Sequence, residues 1–201
     1  NRILHIAWES LHEPLFFKYN LLAALTYAAV MALLTVASFL FEHELGLSPA
    51  EFGATMLGLS FVYMFGAFVN GKLLHYFTMA QLVRNGIVVM WLSCIFLLVD
   101  TLFFSLSYWG LVSFIALLWL GCSALFANNS SIAFSVINKN IGVSSALFNT
   151  VQILFAAIIT AAISAFSAYS TVPLSVFMLG ICLGLTALFN WKIQSKEGIK
   201  L

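Results

Sequence analysis

Six long runs of apolar residues, separated by short polar or turn-forming segments, dominate the hydrophobicity pattern of this 201-residue chain. Each run has about 20 residues or more, the length that an α-helix needs to cross the hydrocarbon core of a bilayer. The apolar residues follow one another without the alternation that transmembrane β-strands show. The pattern predicts an all-α, polytopic membrane protein with six transmembrane helices, at residues 15–41, 52–74, 85–104, 108–137, 143–166 and 172–191.

A shorter amphipathic segment precedes the first run. As a helix, residues 2–13 place most of their polar side chains on one face and gather apolar ones on the other: Ile3, Leu4, Ala7, Trp8 and Leu11. Such a helix lies in the plane of a membrane surface. We therefore expect an amphipathic surface helix at residues 1–13 and a six-helix bundle at residues 14–201. The chain starts with Asn1 rather than Met, so we expect a cut end there.

Composition agrees with this prediction and narrows the possible partners. The chain is 63% hydrophobic and only 7% charged, whereas a soluble domain carries about 25% charged residues. Its surroundings must therefore be a lipid bilayer. The net charge of +1 gives no basis for a nucleic-acid partner.

The placement of positive charge predicts the orientation in the membrane. All eight Lys and Arg residues lie at or before the start of the first run, after the sixth, or in and beside every second connection. Cytoplasmic loops are enriched in Lys and Arg. Both termini are therefore predicted to be cytoplasmic. The residues that carry this prediction are Arg2, Lys18, Lys72, Arg84, Lys139, Lys192, Lys196 and Lys200.

No catalytic constellation is visible. The four histidines lie outside the centres of the apolar runs, and the cysteines Cys94, Cys122 and Cys182 have no metal-ligand spacing. The sequence predicts no enzyme, no catalytic residues, no metal site and no cofactor. An acidic residue inside the membrane commonly carries the proton of a proton-coupled transporter, but Asp100, the most deeply placed acid, is expected at the outer interface.

Polar and aromatic side chains are concentrated in the first, second, fourth and fifth runs, whereas the third and sixth are almost wholly apolar. This division predicts four helices around a cavity and two outside it, in contact with lipid. The candidates for the cavity wall are Tyr27, Met31, Tyr63, Asn128, Asn149 and Gln152. Two interpretations of the amides stay open. They hydrogen-bond across the fourth and fifth helices or to freed backbone, or they line a substrate path with the tyrosines.

Several short motifs resemble the second half of major facilitator transporters, most closely the bacterial drug:proton antiporters of the bicyclomycin and chloramphenicol resistance type. They are EPLFFKY at 13–19, GLSP at 46–49 with FG at 52–53, and the positions Gly66, Asn70, Lys72, Phe77, Leu82, Arg84, Gly86, Asn128, Gly142, Ser145, Ala146, Leu147 and Gln152. The resemblance departs at Ala127, where such proteins commonly have proline.

The resemblance implies a six-helix C-terminal half of a twelve-helix efflux transporter in the bacterial inner membrane. Residues 1–13 would then be an amphipathic cytoplasmic linker helix that joins the two halves. The implied partners are an N-terminal six-helix half or a second copy, an amphipathic small-molecule substrate, and protons. Two other classes remain open: a non-transporting membrane subunit or scaffold, and a substrate-binding subunit of a larger uptake complex.

Overall fold

The computed structural model describes residues 2–103, 107–137, 141–165 and 171–191. In this part of the chain, six helices are long and apolar enough to cross a membrane, as the hydrophobicity pattern predicts. The protein is thus an all-α, six-span membrane protein. Its helices are α1 (Arg2–His12), α2 (Pro14–Phe39, extended by a π-helical turn at Leu40–Glu44), α3 (Pro49–Leu73), α4 (Met79–Phe103), α5 (Tyr108–Ser135), α6 (Ile141–Ala165) and α7 (Thr171–Asn190).

Local capping sets several of these boundaries. Ser48 and Glu51 form a capping box in front of α3, with Pro49 at its first position. Thr78 and Gln81 make the equivalent pair of bonds, 2.9 and 3.3 Å long, before α4. The predicted start of this span at residue 85 was therefore wrong by six residues, because the polar first turn belongs to the helix.

α2 and α5 form the centre of the bundle. α2 packs against α5, α6 and α7, and α5 packs against α2, α3 and α4, while α4 and α7 pack against each other. The same set of helix pairs results if each helix of the first triplet is exchanged with its counterpart in the second, that is α2 with α5, α3 with α6 and α4 with α7. Because each triplet has three spans, the second triplet crosses the membrane in the opposite direction to the first. The bundle therefore has the contact pattern of two inverted three-helix repeats.

Exposure does not follow the polarity of the spans. In the most apolar 18 residues of each span, the share of buried residues is 56% in α2 and 50% in α5. It is 33% in α4 and in α7, 22% in α6 and only 11% in α3. The two most uniformly apolar spans, α4 and α7, are therefore not the most exposed ones. The reason is that an apolar side chain packs as well against a neighbouring helix as against lipid, so composition does not separate the two.

Small residues let α5 approach its neighbours closely. A Cβ atom on Gly121 would lie 3.0 Å from the backbone oxygen of Gly86 on α4, and one on Gly66 of α3 would lie 2.5 Å from Ser123 Oγ. The small residues of α5 thus serve its contacts with α4 and α3.

The amphipathic helix α1 packs on α2 and α6. Ser10, placed on the polar face by its sequence pattern, is 6% exposed, and its hydroxyl lies 2.9 Å from that of Ser144 on α6. Trp8 is 64% exposed. The polar face of α1 is therefore not wholly exposed, because a second hydroxyl at the start of α6 offers Ser10 a buried partner.

Candidate functional site

Two aromatic residues on one face of α5 hold the two candidate tyrosines. Trp119 and Phe126 are seven residues apart, which places them two helical turns from each other on the same side. The ring of Tyr63, on α3, meets Trp119 edge to face at 6.5 Å, and that of Tyr27, on α2, meets Phe126 at 6.1 Å. The structure therefore brings two side chains from different spans to a common wall on α5.

The candidate residues of α2 continue along an open stripe. Tyr27 and Met31 are half-buried, and Thr35 and Ser38, one and two turns further on, are exposed. The Thr35 hydroxyl donates to the Met31 carbonyl at 2.8 Å, so its donor is used within the helix. Because α2 is otherwise the most buried span, this stripe is the part of it that remains available to a ligand or a partner.

Asn128 does not belong to this open face. Its side chain is 1% exposed, and its Nδ2 donates to Asn70 Oδ1 on α3 and to the Ala124 carbonyl, both at 2.8 Å. The bond joins α5 to α3 rather than to α6, so the interpretation of this amide as a link between the fourth and fifth spans was wrong. The reason is tertiary: α5 is followed by α6 in sequence, but α3 is its packing partner.

The two candidates on α6 lie on different faces. Gln152 is 7% exposed and continues the stripe of Ser144 and Phe148 at four-residue spacing. Phe148 contacts Phe16 of α2, so this stripe faces α2. Asn149 lies next to that stripe and is exposed. Of the pair, only Asn149 is open to a ligand in this arrangement.

A cleft of about 660 Å³ runs between α3 and α5. Its floor is apolar, with Leu59 and Ala116 among the lining residues, and one end is polar. There the hydroxyls of Thr55 and Tyr108 lie 3.0 Å apart, and Glu51 accepts bonds from the backbone and hydroxyl of Ser48. These polar groups are already paired, so they favour a structural role at the end of α3.

Charged chemistry is absent from the described interior. In the ranges that the structure describes, no three His, Cys, Asp or Glu side chains are grouped so that they could hold a metal ion. Asp100, near the end of α4, lies over Gly110 in the first turn of α5. Its Oδ2 is 2.6 Å from the position that a Cβ on Gly110 would take. A negative charge at that place is favoured by the N-terminal end of the helix dipole.

Sequence reasoning missed Trp119 and Phe126, whose seven-residue spacing was the available signal, and Thr35 on the open stripe of α2. No family model, no curated protein and no solved structure matches this chain. What the arrangement can do follows from its geometry: it offers an open, largely apolar wall with two aromatic contacts and a few hydroxyl and amide groups. Such a surface suits an amphipathic ligand or a second helical bundle.

Proposed function

We propose that this chain is the C-terminal six-helix half of a major facilitator-type secondary transporter in a bacterial inner membrane, with both termini cytoplasmic. The observation that supports this best is the exchange pattern of the helix contacts. Each six-helix half of these transporters contains two three-helix repeats of opposite direction. α2 and α5 at the centre, with α3 and α6 beside them, fit that plan, and the sequence resemblance points the same way.

In this proposal the chain supplies one wall of a substrate cavity. Tyr27, Tyr63 and the stripe from Met31 to Ser38 face the partner half, and the exposed Asn149 lies at the edge of the wall. Aromatic rings give broad apolar contact and the few polar groups give weak orientation. We therefore propose efflux of amphipathic small molecules, with the two halves rocking about the cavity.

Proton coupling would come from the other half. The acidic residues of this chain lie outside the spans or near their ends, and Asp100, close to the end of α4, lies over the first turn of α5. A coupling proton needs a titratable group within the membrane. We therefore propose that the acid that carries it belongs to the N-terminal half.

Liposome transport tests this proposal. The chain is reconstituted with a six-helix N-terminal half in liposomes under an imposed pH gradient, and movement of a fluorescent amphiphile is followed. We expect transport by the assembled pair, reduced about tenfold by Tyr27→Ala. An aromatic pair contributes about 0.5–1.5 kcal/mol beyond the area that it buries, and about 1.4 kcal/mol corresponds to a tenfold change. Tyr76→Ala is the matched control, because Tyr76 is 82% exposed in the α3–α4 connection.

Two results would contradict the proposal. Transport by this chain alone, as a monomer, would show that no second bundle is needed. An assembled pair that never transports but binds a soluble energising protein would favour the uptake-complex alternative.

A further inference from the structure

Two buried asparagines, Asn20 on α2 and Asn129 on α5, have no hydrogen-bond partner among the described residues. Asn20 is 1% exposed and Asn129 is fully buried, and in each both the amide nitrogen and the amide oxygen are unpaired. Buried polar groups are nearly always hydrogen-bonded, and in a membrane no bulk water competes to satisfy them. These two residues therefore need an explanation that the packing of the chain does not supply.

Both asparagines lie at the level of the contact between α2 and α5. α2 and α5 make two ring contacts, Phe16 with Phe134 and Tyr27 with Phe126, each with centroids 6.1 Å apart. Asn20 lies between Phe16 and Tyr27 and, four residues after Phe16, on the same stripe of α2. Asn129 lies between Phe126 and Phe134 on α5. Along the axis of the bundle, both amides thus lie between the levels of these two aromatic contacts.

The chemistry of the pair favours a neutral ligand. A primary amide has both N–H donors and a carbonyl acceptor, so its complement is a group that donates and accepts. A bare ion would be buried without a countercharge, because the nearest charged group on α2, Lys18, donates to the carbonyls of Phe189 and Trp191 at the end of α7. Water, or the hydroxyl or amide of a solute, meets the requirement.

We propose that Asn20 and Asn129 form a hydrogen-bonding site for one small neutral polar group at the contact between α2 and α5, on the side of the transmembrane bundle where α2 begins. The occupant is an internal water or the polar group of the transported solute. This inference deepens the proposed function, because it adds to the open wall a polar contact that lies behind Tyr27 and Phe126. Internal waters bound in this way make about three hydrogen bonds to buried polar groups.

Cysteine accessibility tests the site. Asn20→Cys and Asn129→Cys are made in the full chain in a bilayer, and their rates of modification by a small, water-soluble methanethiosulfonate are compared with those of Ala24→Cys and Ala133→Cys. The control residues are both fully buried, one turn further along each helix. The unchanged chain gives the background, because its three cysteines are buried.

We expect both asparagine positions to react about tenfold faster than their controls, since only a hydrated thiol forms the thiolate that reacts. If the amphiphile used for transport slows both reactions, the occupant is the solute; if it does not, the occupant is water. Rates no higher than those of the controls would overturn the site. Ala133 is nearer the end of α5 than Asn129. Fraying of that end would therefore make Ala133→Cys react faster than Asn129→Cys.

A double-mutant cycle provides a second test if a cysteine variant does not fold. A shared ligand makes Asn20→Leu and Asn129→Leu non-additive in melting temperature, because the first change already removes the ligand. Additive increases in melting temperature would show two independent, dry amides and overturn the site. Neither test needs transport, so a failure of the proposed function and a failure of this site remain distinguishable.

Discussion

At the scale of single residues, one buried polar bond distinguishes a packing amide from a ligand-binding one. Asn128 donates to Asn70 Oδ1 in a setting where both side chains are at most 4% exposed. In membrane proteins such a bond contributes about 0.6 kcal/mol on average, whereas a buried acceptor left without its donor costs about 1–3 kcal/mol. The penalty for orphaning Asn70 should therefore exceed the contribution of the bond itself.

This comparison predicts that Asn128→Leu lowers the thermal stability of the detergent-solubilised chain, and that adding Asn70→Leu restores most of the loss. Thermal unfolding of the two single variants and the double variant measures the coupling. Asn149→Leu is the control, and it should leave the melting temperature unchanged because Asn149 is exposed. Equal losses at positions 128 and 149 would argue against the bond between α3 and α5.

At the scale of helices, the approach of α4 to α5 depends on missing side-chain atoms. A Cβ on Gly121 would lie 2.9 Å from Met90 Cγ and 3.0 Å from the Gly86 oxygen. The backbone atom cannot move without separating the helices, so Gly121→Ala should cost about 1–3 kcal/mol, as overpacking does. Gly180→Ala on α7 is the control, because nothing lies within 4 Å of its Cβ position. A melting temperature that falls equally in both variants would contradict the close approach.

The contact between α4 and α7 can be tested with native residues. Cys94 and Cys182 are both buried, with their Sγ atoms 3.5 Å apart. We expect membrane-permeant iodine to join them, converting two thiols and I₂ into a disulfide and two HI, with a mass loss of two hydrogens. Cys122 should remain a thiol, and Cys94→Ala should abolish the product. A disulfide from Cys122 instead would require a different packing of the third and sixth spans.

At the scale of the whole molecule, the bundle has exposed apolar flanks. α3 exposes large apolar residues such as Phe61, Phe65 and Phe68, each about 60% exposed. A partner half or a second copy of the chain could pack against the bundle. If two copies meet through their cavity faces, Asn149→Cys crosslinks one copy to another. When an N-terminal half is present, we expect this crosslink to fall to the background level. Leu183→Cys gives that background, because Leu183 is an exposed residue of α7.

Hydropathy and length alone determined the class of this protein and the number of its spans. The energetic cost of placing polar backbone in lipid leaves few alternatives to a helix, and about 20 apolar residues suffice to recognise one. The shared face of Tyr27, Met31 and Ser38 also follows from the sequence, because helical periodicity fixes which residues of one helix lie together. The N-terminal boundary of α4 needed the capping pair of Thr78 and Gln81.

Only the tertiary structure decided which helices are neighbours. Asn128 pairs with α3, Ser10 is buried against α6, and the apolar helices α4 and α7 pack together instead of forming the most exposed surface. None of these outcomes can be read from composition, since lipid and a neighbouring helix are equally apolar to a leucine. A span's own residues define its faces, but which face is covered depends on contacts between segments far apart in sequence.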